Sequence, residues 1–420
     1  MNIRNIISVI VILLGFILVG CTDDSYRGTI DVDMSVNRDI PHEVRMTIGA
    51  PEDDVILEES ALGTRGSGVI GDISGFSGKE FYVYAFNQDG YTSLQTVSAQ
   101  DSIRCLIDGS RDDPESLMGR KALWNPKTEY VEWESGDGQI YYPMGEGAGH
   151  IYNFFAYYLD DMEVDNDDFH RMDDAVQIDI EIDGSQDIMS SRAEPTEKQL
   201  SWIKDIKDSL YIQHCAYGYY TASRGLHPNF VFKHHLVKLD FKLVPGGTPG
   251  MTKDVTVERI EIVSKHKGRF TVADTKKQSG LGISFEDDKT RLQLKETDGS
   301  EYHPRLISTF NQVGTVTDGV VDDLGSLLVA PDNEYYIYVV LGETREDGVV
   351  LESKENEVHI YQGTKDAMIP FTAGNEYLIT MTIYGQMDIK VSTQIGDWDK
   401  GGGYEYDNED QTRPGQGNTN

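Results

Sequence analysis

Alternation is the feature that most limits what this chain can become. In "AVQIDIEID" (175–183), Val176, Ile178, Ile180 and Ile182 fall at every second position. A period of two sends all four to one face of an extended strand. β-Branched and aromatic runs of similar length recur at "KEFYVYAF" (79–86), "QIYYPM" (139–144) and "HIYNFFAYY" (150–158). A second set follows at 230–244, 255–265, 334–343, 357–363, 376–385 and 388–398. Turn-forming clusters separate the runs, and regular crossover helices are missing between them. The pattern predicts an all-β chain of antiparallel sandwiches, in two strand sets that meet near residue 226.

One segment breaks the pattern. Glu194 and Pro195 suit a helix start, and Leu200, Ile203, Ile206 and Leu210 then recur at helical spacing. This predicts a helical insert over 196–212, between the strand sets. A helical turn is also expected within "PESLMGRKALW" (114–124). The tail 401–420 has little to bury and reads as disordered.

The N-terminus is a separate device. "IISVIVILLGFILV" (6–19) follows Arg4 and is too short for a comfortable membrane helix of about 20 residues. A basic start, an apolar middle and a small-residue end make residues 1–20 an export signal. Leu18, Gly20 and Cys21 resemble the bacterial lipobox, in which the signal is cut before the cysteine and lipid joins its thiol. With Cys21 so used, Cys105 and Cys215 remain, and their spacing leaves pairing open.

Composition narrows the function. Of 420 residues, 71 are acidic and 37 basic, a formal net charge of −34, which repels nucleic acid. No serine-nucleophile elbow, paired-histidine zinc helix or phosphate loop is present. His234 and His235 are adjacent, so on a strand they point to opposite faces. The acidic run 159–174 lacks the residue order of a calcium loop and reads as solvated. Aromatic stretches such as "CAYGYY" suit a β core more than a glycan platform. No enzyme activity, cofactor or metal site is expected.

Between the signal and the first strand set, Val44, Met46 and Ile48 alternate in "HEVRMTIGA". A glycine-rich stretch, "LGTRGSG" (62–68), follows and centres on Arg65. It reads as an exposed link.

With these residues in view, the chain resembles the fimbrillin family of Bacteroidales, the lipoprotein precursors of type V pilus subunits. The resemblance rests on the lipobox at Cys21 and on the arginine link at 62–68. It rests also on "DIMSSRA" (187–193) with "PNFVFKHHLVKLDFKLV" (228–244), and on the closing "FTAGNEYLITMTIYGQMDIKVSTQIGDWDKG" (371–401). It implies two tandem transthyretin-like β-sandwich domains, with boundaries expected at 66–226 and 227–400 after a lipidated pro-segment, 21–65. It implies a stalk or tip subunit that mediates adhesion at the outer membrane and cell surface. An arginine-directed protease would cut between Arg65 and Gly66. Val44, Met46 and Ile48 would form a strand plug, exchanged for a donor strand from within 386–420 of another subunit. Expected partners are other fimbrial subunits, outer-membrane lipid through Cys21 before processing, and a host or microbial surface ligand. Asp23 and Asp24 resemble a surface-export signal. A monomeric glycan-binding lipoprotein and an uncleaved fimbrial anchor remain the alternatives.

Overall fold

The run "IYNFFAYY" has no polar face, and the strand it forms, β6 (Ile151–Tyr158), is buried at all eight positions. A strand covered on both sides belongs in a middle layer. The computed structural model describes residues 40–49, 76–87, 105–108, 117–134, 138–194, 217–223, 225–246, 253–275, 281–296, 300–309, 324–344, 348–365, 367–386, 388–397 and 403–406. In it, β6 pairs antiparallel with β2 (Glu80–Asn87) on one side and β9 (Met189–Arg192) on the other. The sheet continues from β9 to β12 (Lys233–His234), and from β2 to β4 (Arg120–Asn125) and β5 (Tyr130–Trp133). β3 (Cys105–Ile107) joins β2, and β10 (Tyr217–Gly218) joins β6.

The two faces of this sheet feed two cores. Tyr152, Phe154, Ala156 and Tyr158 meet Phe76, Phe81, Tyr142 and Phe230 in an aromatic first core. Phe155 and Tyr157, at the alternate positions, enter a larger second core. That core is closed by two further sheets. One runs β19 (Ser326–Val329), β13 (Val237–Pro245), β23 (Asn375–Gly385), β24 (Asp388–Asp397), β25 (Gly403–Tyr406). The other runs β17 (Lys289–Gln293), β14 (Lys253–Lys265), β20 (Glu334–Thr344), β21 (Val350–Thr364), β22 (Ala367–Ile369), and β18 (Arg305–Thr309) also pairs with β14. Leu239, Phe241 and Ile379 from the first and Ile260, Ile337 and Val339 from the second share one buried cluster. The chain is thus nearly all β, arranged as tandem sandwiches.

A fourth sheet runs across the expected division at 226. Its order is β16 (Gly282–Phe285), β15 (Lys267–Asp274), β8 (Ala175–Glu181), β7 (Phe169–Arg171). β8 comes from the first strand set and β15 from the second, with Ile180 opposite Gly268 and Ile178 opposite Phe270. Gly268 is required there, because a Cβ would stand 2.8 Å from the Ser284 carbonyl oxygen. The two halves therefore share a ladder as well as a core.

Several local expectations give way. Pairing is not antiparallel throughout: β13 and β23 run parallel. They are far apart in sequence, and the strands between them cross to another sheet and back, so no hairpin fixes their direction. The run 139–144 forms only a single bridge, Tyr141 to Glu43, and Pro143 has no N–H to extend it. The expected turn at 114–124 is instead β4 from Arg120 onward. Gly119 precedes it at φ +81°, and a Cβ there would lie 2.9 Å from the Val83 carbonyl oxygen. "CAYGYY" contributes β10 and a short helix, α1 (Tyr219–Ser223). Residues 403–406, expected to be disordered, pair as β25 with the free edge of β24; tyrosines at 404 and 406 suit a strand. The helix expected at 196–212 and Cys215 lie outside the described residues. Cys105 is a free, buried thiol, and burial pushes its pKa up.

Buried titratable groups gather where the halves join. His234 Nδ1 lies 2.8 Å from Asp187 Oδ1, and His235 Nε2 lies 2.6 Å from Ser190 Oγ. Asp160, its side chain 2% exposed, accepts from the Tyr158 hydroxyl at 2.7 Å. Burial raises the Asp160 pKa to about 6 and lowers that of His235 to about 4. The two act in opposite senses. The Asp160 contribution is full below its unfolded value near 3.8 and is lost as pH rises through about 6. The His235 contribution is full above 6.5 and is lost as pH falls through about 4. Asp160→Asn removes only the first. At about 1.4 kcal/mol per pH unit, the variant is expected to lose about 2 kcal/mol relative to wild type between pH 6 and pH 4. Urea midpoints at several pH values measure this, and parallel curves for the two proteins would contradict it.

Candidate functional site

The segment from Ile40 to Gly49 inserts into the first core as an added strand. Alternation predicts that every second side chain is covered, and Val44, Met46 and Ile48 are 3%, 0% and 6% exposed. They join Phe81, Val131, Tyr142, Phe154 and Phe230. Between them Arg45 faces solvent.

Backbone hydrogen bonds hold the segment on both sides. On one side Val44 N donates to Ile140 O at 2.8 Å, Tyr142 N to His42 O at 3.0 Å and Val131 N to Met46 O at 2.9 Å. On the other, Thr47 N donates to Pro228 O at 2.9 Å and Gly49 N to Phe230 O at 3.0 Å. This second side is a short parallel pairing of β1 (Thr47–Ile48) with β11 (Asn229–Phe230). The Thr47 hydroxyl donates to Asn229 Oδ1 at 2.8 Å, and the Tyr219 hydroxyl donates to Ile40 O at 2.8 Å. A Cβ on Gly49 would meet the Asn229 side chain at 2.7 Å, so this position takes a residue with no side chain.

The surroundings favour uncharged groups. His42 packs edge-on against Tyr219, with ring centroids 4.8 Å apart, and burial lowers its pKa. His227 packs edge-on to Tyr130 at 5.9 Å, and its pKa is lowered chiefly by burial. Arg45 pairs with Glu43 at 3.1 Å. Among the described residues, apolar side chains and backbone pairing hold the strand. Chemically, such a site holds an extended segment by main-chain hydrogen bonds and pockets for alternate side chains.

Val44, Met46 and Ile48 are thus brought together in one groove. Cys21, Arg65 and Gly66 lie outside the described residues. Sequence reasoning missed the groove's other lip, Pro228 to Phe230, although Asn229 within "PNFVF" is a polar break in an apolar run. It also missed Tyr219, whose hydroxyl anchors the segment's start. At the C-terminal end, β24 lies within its sheet and β25 pairs with it at the edge, Thr393 opposite Tyr406. Among the described residues no group of three or more His, Cys, Asp or Glu side chains is placed to hold a metal ion. In the acidic run, Asp165 caps its own short turn by accepting from Asp167 N at 2.8 Å.

No curated protein matches the chain. Among solved structures it is similar to a fimbrial protein from Bacteroides vulgatus, at 12% identity and TM-score 0.46, over 85% of this chain and 99% of that one. It is similar also to the tip fimbrial protein Mfa3 from Porphyromonas gingivalis with C-terminal truncation, at 10% identity and TM-score 0.30, over 85% and 100%. The fimbrial anchor protein Mfa2 from the same organism matches at 10% identity and TM-score 0.29, over 87% and 100%. A family model described as fimbrillin-like matches residues 218–398, which hold β11 and most of the second half. Over residues 218–398, then, the chain is similar to the fimbrillin-like family.

Proposed function

We propose that the chain is a structural subunit, stalk or tip, of a fimbria. It is exported as a surface lipoprotein through Cys21 and assembled with other fimbrial subunits after cleavage at Arg65. The observation that carries this reading is the strand at 44–48, buried in the first core and bonded on both edges. A core completed by a terminal strand can be completed by another chain's strand once the tether is cut. Residues 44–48 keep the precursor monomeric in this reading. The donor comes from the C-terminal segment, 386–420, and its β25 is the edge strand of its own sheet. The fimbrillin-like match supports a role in adhesion at the cell surface and offers nothing toward catalysis.

Processing is tested first. N-terminal sequencing of surface-sheared material is expected to start at Gly66. Arg65→Ala is expected to leave a folded, lipidated monomer and no denaturant-resistant ladders. Assembly of that variant with residues 22–65 still attached would overturn the reading.

A further inference from the structure

Beside the docked strand lies a recess of about 710 Å3, within the roughly 300–1,000 Å3 of small-ligand sites. Its floor is β5, and Tyr130 and Trp133, three apart on that strand, line it from opposite faces. Both are half-buried, and neighbours fix them in place. The Arg120 guanidinium stands 4.8 Å from the Trp133 ring centre and donates to Gly138 O at 2.8 Å. Tyr130 is braced by Arg45 at 5.5 Å and by His227.

Around the rings stand groups that pair with hydroxyls. Glu132 is oriented by Asn125 Nδ2 at 2.7 Å. Gln139 accepts from the Tyr141 hydroxyl through Oε1 at 2.7 Å, which leaves its amide N–H groups to donate. Glu134 lies 3.8 Å from Lys121. The Tyr130 ring, flanked by mixed donors and acceptors, matches a sugar ring, which has C–H faces and a belt of hydroxyls that both give and accept protons. The carboxylates of Glu43 and Glu134 are paired with Arg45 and Lys121, and Arg120 is taken up by Trp133 and Gly138, so among these described residues no cation stands unpaired to draw an anion. A recess whose cations are already paired favours neutral ligands over anionic ones.

We propose that this recess binds a short neutral oligosaccharide and is complete only while the N-terminal strand is docked. Glu43, Val44 and Arg45 form one of its walls. Ligand occupancy and strand docking are therefore linked, each favouring the other. Binding needs only the docked geometry, so its failure leaves the assembly reading standing.

The test is saturation-transfer NMR on the purified full chain. The probes are neutral trisaccharides of glucose, mannose, galactose and N-acetylglucosamine, with a sialylated trisaccharide as the anionic control. At least one neutral probe is expected to bind, with Kd between about 10 μM and 1 mM. Tyr130→Ala is expected to weaken binding about tenfold or more. Gln139→Ala, at an exposed position that the fold does not need, is expected to weaken it as well. Met46→Asp, which unseats the wall without touching the rings, is expected to abolish it. The proposal fails if no neutral probe binds the folded chain, if only the sialylated probe binds, or if Gln139→Ala leaves the affinity unchanged. Full affinity in Met46→Asp overturns the dependence on the docked strand.

Discussion

Met46→Asp is expected to expel residues 43–49 from the first core, and their amides then exchange at the rate of an unstructured peptide. Met46 is fully buried, and its neighbours Val131, Tyr142 and Phe154 are apolar or aromatic. Among the described residues that cluster holds only apolar and aromatic side chains, and an unpaired buried charge costs several kcal/mol. The alternatives are to protonate the aspartate or to leave, and leaving also surrenders Val44 and Ile48. Full burial of side chains of this size is worth about 1.5–3 kcal/mol each. Each backbone bond on the two edges adds about 1 kcal/mol net. A single change at Met46 therefore competes with most of the docking energy. Met46→Leu conserves volume and is expected to cost less than about 1.5 kcal/mol. Hydrogen exchange on the intact chain reads both variants. If residues 44–48 of the wild type already exchange freely, the strand is not docked in solution.

Asp108→Ala is expected to be the most damaging substitution within the body, costing about 3–5 kcal/mol in urea unfolding. Arg171 makes two bonds to the Asp108 carboxylate, one of them Nη1 to Oδ2 at 2.7 Å. The side chains are 9% and 5% exposed. The guanidinium also lies 5.8 Å from the centre of the buried Tyr84 ring. Removing the carboxylate strands a cation that cannot deprotonate, and the surroundings must open to hydrate it. Asp108→Ala combined with Arg171→Met is expected to recover much of the loss, because no buried charge remains. A double variant as unstable as the single one would show that the carboxylate matters for something other than its partner.

Strand positions were legible where alternation was clean. Val176 to Ile182 and Val44 to Ile48 announce both their conformation and their buried face, because a strand repeats every two residues. "HIYNFFAYY" announces burial but not its reason. A continuous apolar run fits a middle layer, and only the fold shows which neighbours cover each face. The parallel partner of β13 could not be read at all. Lys238 stands opposite Glu376, and nothing local to either residue encodes the other. The same holds for the groove. Its occupant, 44–48, was visible as a period of two, while its lips at 131, 140–142 and 228–230 come from three places in the chain. The recess at Tyr130 and Trp133 was hidden because its residues look like an ordinary edge strand until the N-terminal segment walls one side.

The ladder between β8 and β15 bears on how such a subunit carries a load. In a fibre of the proposed kind, tension would enter one half and leave by the other. A pair of domains strung on a flexible linker would hinge first, and each would then stretch by itself. Here seven register pairs tie Ala175–Glu181 to Lys267–Asp274, beneath a core that both halves share. Pulling the halves apart has to rupture those bonds together and wet the apolar surface under them. Under load the joined halves are expected to act as one stiff link, yielding abruptly at high force rather than lengthening gradually at low force.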